Sequence, residues 1–136
     1  MKTLIYSNKI AEIRYDTKSK IIYADYHGIV EYNLAENAIK SINQVAINNG
    51  IVGVIADVSN LRGSFYRIMD YMKNDGFPLL IKYGLRVHAQ VISEDIIIHN
   101  LSNRVKDFSK ELGIESKIFT DANKAEKWVK SVLKEK

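Results

Sequence analysis

The sequence predicts one α/β domain with a mostly parallel sheet, and three observations carry this prediction. Short strand-like apolar runs alternate with longer segments in which apolar residues recur at helical spacing. The run "IVGVIAD" (residues 51–57) is apolar up to its final aspartate, which is typical of a strand covered on both faces. The segment "IAEIRYD" near the N-terminus alternates apolar and polar residues, which indicates a half-buried strand.

The first part of the chain predicts a β-hairpin over residues 10–27, followed by a helix. "IAEIRYD" and "IIYADYHG" are the two strands, "TKSK" is the turn between them, and Gly28 ends the second strand. The next segment, "EYNLAENAIKSINQVAINNG", predicts a helix that stops at Asn49-Gly50. Its predicted buried face consists of Leu34, Ala38, Ile42, Val45 and Ala46.

The rest of the chain predicts alternating helices and strands after the central strand. "SFYRIMDYMKND" and "DIIIHNLSNRVKDFSKELG" predict helices, and "GFPLLIKYGL" predicts a short helix or a packed loop. "RVHAQVIS" and "ESKIFTD" predict strands, and "ANKAEKWVKSVLKEK" predicts the last helix, capped by Thr120 or Asp121. The predicted order is ββαβαβαβα, a parallel sheet with an antiparallel N-terminal hairpin. The residues predicted to face inward in these helices are Phe65, Ile68, Met69, Met72, Ile97, Leu101, Val105, Phe108, Leu112, Ala125, Trp128, Val129, Val132 and Leu133.

Composition narrows the class of protein. A length of 136 residues without a Pro-rich or low-complexity linker predicts a single domain over residues 1–136. No apolar run approaches the roughly 20 residues that a membrane helix needs, and no signal peptide is recognised, so we expect a cytoplasmic protein without an integral membrane segment. The chain has no cysteine, which excludes disulfides and Cys-ligated zinc.

The net charge of +4 comes mostly from the C-terminal helix. The last thirteen residues, "KAEKWVKSVLKEK", hold five lysines and two glutamates. Nucleic-acid binders usually show a basic stripe with arginine and aromatic residues on one face. We interpret the lysines as the solvated side of a terminal helix and expect no nucleic-acid partner.

The segment from Asp57 to Ser64 is the first candidate site, and two interpretations are open. Sites in open α/β sheets lie beyond the carboxyl ends of the strands, so this segment is a candidate for binding a ligand or a partner. Alternatively, Ser64 caps the following helix and Asp57 accepts hydrogen bonds from turn N–H groups. The segment has neither the P-loop nor the G-x-S-x-G pattern. The candidate binding residues are Asp57, Ser59, Arg62, Gly63, Ser64 and Arg67.

Three other features carry weaker indications. His27, His88 and His99 lie on different predicted elements without metal-ligand spacing, so we expect no metal, no cofactor and no catalytic residue. The chain has eight tyrosines, which suit either a dimer surface or packing on the sheet. The segment at residues 76–85 suits either a mobile lid or partner-docking patch, or a cover over the core.

Three stretches carry a family resemblance. "GVIADVSNLRGSF", "KYGLRVHAQVIS" and "KIFTDANKAEKWV" resemble the SpoIIAA-like branch, the anti-sigma-factor antagonist-like proteins, of the STAS/SEC14-type domains of small bacterial proteins. The resemblance implies a small α/β sandwich and a binding or regulatory role. Regulatory members carry Asp-Ser-Ser-Gly, with a phosphorylated serine, after the central strand. This chain has "LRGSFYR" there, and Ser64 lies two positions short of the expected serine.

The resulting functional expectation is a non-enzymatic regulatory or interaction module of the STAS type. It would bind a protein partner or a small ligand near the loop after the central strand, as a homodimer. The alternative is a small carrier that holds a lipid or an anionic metabolite in a pocket between the sheet and residues 76–85. A hydrolase, with a histidine near Asp57 or Ser64, is the third possibility.

Overall fold

The computed structural model describes residues 2–135, which form a six-stranded mixed sheet with strand order β1-β2-β3-β4-β5-β6. Strand β2 runs antiparallel to both of its neighbours, β1 and β3, and β3, β4, β5 and β6 are parallel. The α/β class, the antiparallel N-terminal hairpin and the parallel remainder are therefore confirmed. The strands are β1 Lys2–Asn8, β2 Ala11–Asp16, β3 Ile21–Ile29, β4 Gly53–Arg62, β5 Val87–Val91 and β6 Glu115–Phe119.

Helices connect the parallel strands, and one helix follows the last strand. The connection between β4 and β5 is a continuous run of two short α-helices with a π-helical turn between them. None of the helices in residues 2–135 is long and apolar enough to cross a membrane. The helices are α1 Tyr32–Asn49, α2 Tyr66–Tyr71, the π-helical turn Met72–Gly76, α3 Phe77–Lys82, α4 Ile96–Glu111 and α5 Ala122–Lys134.

The sheet is covered on both faces, by different numbers of helices. The larger core packs α1 to α4 against one face, and the smaller core packs α5 against the other. Strand β4 contributes Val54 to the larger core and Ile55 to the smaller one. Because alternate residues of a strand face opposite sides, a strand buried on both sides must be apolar at successive positions, as predicted for "IVGVIAD".

The structure adds one strand that the sequence analysis did not predict. Strand β1 forms the open edge of the sheet beside β2, so the order of elements begins with three strands rather than two. A register shift between Leu4 and Tyr6 marks a bulge in β1. The bulge breaks the period-two pattern, and most of the strand is exposed, so its sequence carries no clear strand signal.

One predicted boundary and one predicted core residue are wrong. Strand β4 does not end at Asp57 but continues to Arg62, because β3 also extends and Ile29 pairs with Arg62. Helix α4 buries Leu101, Val105 and Phe108 as predicted. At its first turn the prediction is wrong, since Ile98 is fully buried while Ile97 is 49% exposed. Asp95 is the N-cap of this helix, and its carboxylate accepts hydrogen bonds from the N–H groups of Ile97 and Ile98.

Candidate functional site: a cavity under the helices

A mostly apolar cavity of about 90 Å³ lies between the sheet and helices α1 to α4. Its floor includes Ala24 on β3 and Ala56 on β4, which are directly paired in the parallel register. Two neighbouring alanines leave room that larger side chains would fill. The surrounding wall consists mainly of aliphatic and aromatic side chains.

The connection between β4 and β5 forms one side of the cavity. Met72 and Gly76 of the π-helical turn line it, and so do Phe77 and Leu80 of α3. Isolated π-helical turns widen a helix locally and occur often at functional sites. Part of the segment at residues 76–85 therefore lines the cavity, through Gly76, Phe77 and Leu80.

His88 on β5 is one of the polar groups in the cavity wall. Its ring is 3% exposed and packs edge-on against Phe77, with ring centroids 5.1 Å apart. Its Nδ1 atom has no hydrogen-bond partner among residues 2–135. Burial lowers the pKa of His88 to about 4, so the imidazole is neutral at physiological pH.

Two further polar side chains line the same cavity. The Nε2 atom of Gln90 donates a 2.9 Å hydrogen bond to the carbonyl oxygen of Ser102 in α4. The hydroxyl of Tyr26 makes no hydrogen bond within residues 2–135, and burial raises its pKa above the ordinary value. The wall therefore offers neutral hydrogen-bonding groups in apolar surroundings and no ionised side chain.

The sequence-predicted residues Asp57 and Ser59 form a local hydrogen-bonded pair. Asp57 Oδ1 accepts hydrogen bonds from the Ser59 main-chain N–H at 2.9 Å and from the Ser59 hydroxyl at 2.6 Å. Asp57 therefore accepts a hydrogen bond from a main-chain N–H group, as in the second of the two interpretations of this segment. Both residues belong to β4 rather than to a loop.

The other predicted residues do not converge with Asp57. Ser64 Oγ accepts a 3.2 Å hydrogen bond from the Tyr66 N–H, but the N-cap residue of α2 is Phe65, so the prediction that Ser64 is the N-cap is wrong by one position. The guanidinium of Arg67 lies 4.8 Å from the centroid of the Tyr32 ring. Arg62 and Gly63 are exposed, and Gly63 has a φ of 93° where the chain leaves β4.

Asp57 has a neighbour that the sequence analysis did not single out. Asp25 on β3 pairs with Asp57 in the parallel register. Burial, and then the charge of Asp57, raises the pKa of Asp25, while Arg14, at 3.7 Å, acts in the opposite direction. Only the strand register brings the two carboxylates together, because 31 other residues separate them along the chain.

The three histidine side chains make no hydrogen bond to the other candidate residues within the described part of the chain. No hydrogen bond within residues 2–135 joins a histidine side chain to Asp57 or Ser64. Across the same residues, no group of three or more His, Asp or Glu side chains could hold a metal ion.

Comparisons with known proteins add no relative. No protein-family model, no curated protein and no solved structure matches this chain. Functional inference therefore depends on the geometry of the cavity. The sequence analysis pointed to residues 76–85 but missed Tyr26, His88 and Gln90 as cavity residues. The available signal was that His88 and Gln90 are polar residues in a strand that is buried on both faces.

Proposed function

We propose that the protein is a non-enzymatic binding module that holds a small, neutral, largely apolar ligand in the cavity between the sheet and helices α1 to α4. The observation that carries the proposal is one buried polar atom without a hydrogen-bond partner among residues 2–135, His88 Nδ1, in a mostly apolar cavity wall. Buried polar groups without partners are costly, and a ligand that carries one hydrogen-bonding group would relieve that cost.

The wall also favours a particular ligand chemistry. No lysine or arginine lines the cavity, and His88 is neutral, so an anionic metabolite would lack a counter-charge. The volume of about 90 Å³ is smaller than the ~150 Å³ engineered cavity that takes up benzene. A long acyl chain does not fit this volume, so we propose a compact molecule rather than a lipid.

The first test is native mass spectrometry of the protein purified from its own host. The expected result is a protein mass with a retained neutral organic compound of low molecular weight.

The second test locates the binding site by titrating the protein with xenon and with 2-propanol. The readout is the change in the amide chemical shifts of the protein. We expect shifts at Ala24, Ala56 and His88, and a larger effect of 2-propanol on His88 because only the alcohol forms hydrogen bonds.

A matched pair of variants on β4 gives the control. Ala56→Val adds two methyl groups on the cavity floor, in a strand position that tolerates β-branching, and is expected to abolish binding of both probes. Ile55→Val changes the opposite face of the same strand, which packs under α5, and is expected to leave binding unchanged. Binding that survives Ala56→Val would contradict the proposal.

The exposed end of β4 favours a second candidate function, the binding of a protein partner near residues 57–64. Ile29 is 71% exposed beside Arg62, and Tyr66 is 57% exposed two residues after Ser64. Such a mixed apolar and basic surface suits a regulatory partner, as the SpoIIAA-like resemblance implies. Capture of a partner by the wild-type chain, and its loss with Arg62→Glu at unchanged melting temperature, would support this candidate.

We also propose a cytoplasmic homodimer. Strand β1 is an open edge, and its Leu4 and Ile5 are 51% and 37% exposed. Exposed apolar side chains on an edge strand favour association with a second copy. Light scattering is expected to give the mass of a dimer for the wild type and of a monomer for Leu4→Lys.

A further inference from the structure

The second open edge of the sheet is lined by a groove that neither proposed function uses. Among residues 2–135, strand β6 pairs only with β5, and no described strand occupies its other edge. Four residues of α4 at helical spacing line one side of the groove, and Trp128 of α5 lines it as well. The α4 residues are His99, Asn103, Lys106 and Lys110.

The main-chain groups of β6 are available to a further strand. Glu115 N–H donates to Arg86 O, and Phe119 O accepts from Ile92 N–H, so both residues direct their main-chain groups toward β5. In a parallel ladder these directions alternate along the strand. The N–H and C=O groups of Ser116 and Ile118 therefore face the open edge, where an added strand would form hydrogen bonds with them.

The groove is predominantly basic. It contains Lys106, Lys110 and Lys117, and Glu115 is the one acidic residue among the described residues that line it. None of the three lysines forms an ion pair with a carboxylate among residues 2–135. Lys117 Nζ lies 5.4 Å and 5.9 Å from the ring centroids of Phe119 and Trp128. The three ammonium groups, one on β6 and two on α4, are complementary to acidic side chains.

A buried polar atom and an aromatic ring add to these features. Ser116 is 5% exposed and lines the groove, and its hydroxyl has no hydrogen-bond partner among residues 2–135. Trp128 is partly exposed and contacts Phe119, with ring centroids 5.6 Å apart. The groove therefore combines main-chain groups, positive charge and an aromatic surface, which are the elements of strand addition by an extended peptide.

We propose that the open edge of β6 binds an extended acidic peptide segment of a partner protein as a seventh strand. Alternate side chains of the peptide would face Lys106 and Lys110 on one side and Lys117 with Trp128 on the other. A peptide fits better than a nucleic acid, because the edge offers strand-pairing groups and the groove contains no arginine and one glutamate.

The test uses the full chain and three synthetic peptides, with amide chemical shifts and fluorescence anisotropy as readouts. The first peptide alternates glutamate with valine, the second has lysine in place of glutamate, and the third is the first with alternate main-chain nitrogens methylated. We expect the first peptide alone to bind, with shifts concentrated in Glu115–Phe119 and slower hydrogen exchange at Ser116 and Ile118. Binding of the methylated peptide with equal affinity would overturn strand addition and leave only charge attraction.

Charge-reversal variants separate the groove from net charge. The double variant Lys106→Glu and Lys110→Glu is expected to bind the first peptide with an affinity that is lower by about tenfold or more, because like charges then face each other. Lys18→Glu with Lys73→Glu makes the same change in net charge on exposed residues outside the groove and is expected to leave affinity nearly unchanged. Equal loss in both variants, or tighter binding of a single-stranded oligonucleotide than of the acidic peptide, would overturn the proposal.

Discussion

Tyr23 on β3 donates a 2.7 Å hydrogen bond from its hydroxyl to Glu126 Oε2 on α5. This hydrogen bond links the last helix to the centre of the sheet across 103 positions of sequence. It is also the main cause that lowers the pKa of Glu126, and Lys130, at 3.0 Å, acts in the same direction. The smaller core therefore has a charged hydrogen bond at its margin in addition to its apolar contacts.

Tyr23→Phe removes this hydrogen bond and keeps the aromatic ring. We expect the free energy of unfolding at pH 7 to fall by about 1 kcal/mol, since the carboxylate is partly solvated. The folded-state pKa of Glu126 lies below its unfolded value of 4.5, so this stabilisation is present above that pH and is lost as the pH falls through the folded-state pKa. Urea denaturation at pH 7 and pH 3 measures both effects.

Tyr66→Phe is the matched control for this prediction. Tyr66 is 57% exposed and its hydroxyl forms no hydrogen bond within residues 2–135, so stability should not change. A Tyr23→Phe variant as stable as Tyr66→Phe would show that the bond to Glu126 contributes nothing measurable.

His88 makes stability depend on pH in a defined window. Its pKa is about 4 in the folded protein and 6.5 in the unfolded chain, so between these values only the unfolded chain binds the proton. Stability is therefore expected to fall as the pH drops from about 6.5 to about 4, by up to about 3 kcal/mol from this group. His88→Gln lacks the titrating ring and should show a smaller decrease over the same window, measured by urea denaturation at several pH values. Parallel curves for the two proteins would contradict the assignment.

Substitution by alanine is predicted to have opposite effects on stability at two glycines of the β4–β5 connection. Gly76 is helical, and a Cβ there would lie 3.6 Å from Tyr71 and 3.7 Å from Ile39, at ordinary contact distances. Gly76→Ala is expected to raise the free energy of unfolding by about 0.5 to 1 kcal/mol, because alanine has the higher helix propensity. Gly84 has a φ of 119°, and a Cβ there would lie 2.6 Å from the Ile51 carbonyl oxygen.

Gly84→Ala is therefore expected to lower the free energy of unfolding by about 2 kcal/mol or more. Both the positive φ of Gly84 and the closeness of the Ile51 carbonyl oxygen oppose a side chain there. Thermal denaturation of the two variants beside the wild type checks both signs. A destabilised Gly76→Ala would indicate that the π-helical turn cannot accept an added methyl group.

The fold was largely predictable because its signals are local. The apolar run at residues 51–57 and the helical periodicity of α1 and α5 depend only on neighbouring residues, and the structure confirms these elements. Strand β1 was missed because a bulge interrupts its alternation and because it lies at an exposed edge. Its existence depends on pairing with β2 rather than on its own pattern.

The candidate site was less predictable because several distant segments build it. The cavity needs the pairing of Ala24 with Ala56 and the path of the π-helical turn, and neither follows from a short window of sequence. Residues 76–85 could be identified as apolar and broken by glycine and proline. That they would line a cavity beside His88 depends on packing between elements that lie far apart in sequence.

The pair of carboxylates on β3 and β4 gives the last prediction. Asp57→Asn keeps an oxygen that can accept the hydrogen bonds from Ser59 but removes the negative charge beside Asp25. Stability at pH 7 should change little, and the pKa of Asp25 should move down toward its ordinary value, as measured by carboxyl-carbon chemical shifts during titration.

Asp57→Ala removes the charge and the acceptor together. It should lower the pKa of Asp25 in the same way and should also cost about 1 to 2 kcal/mol of stability, because the Ser59 N–H and hydroxyl lose their partner. If the pKa of Asp25 is the same in both variants as in the wild type, burial alone sets it. If only Asp57→Ala loses a captured protein partner, the hydrogen-bonded shape of this strand end matters for that binding and the charge of Asp57 does not.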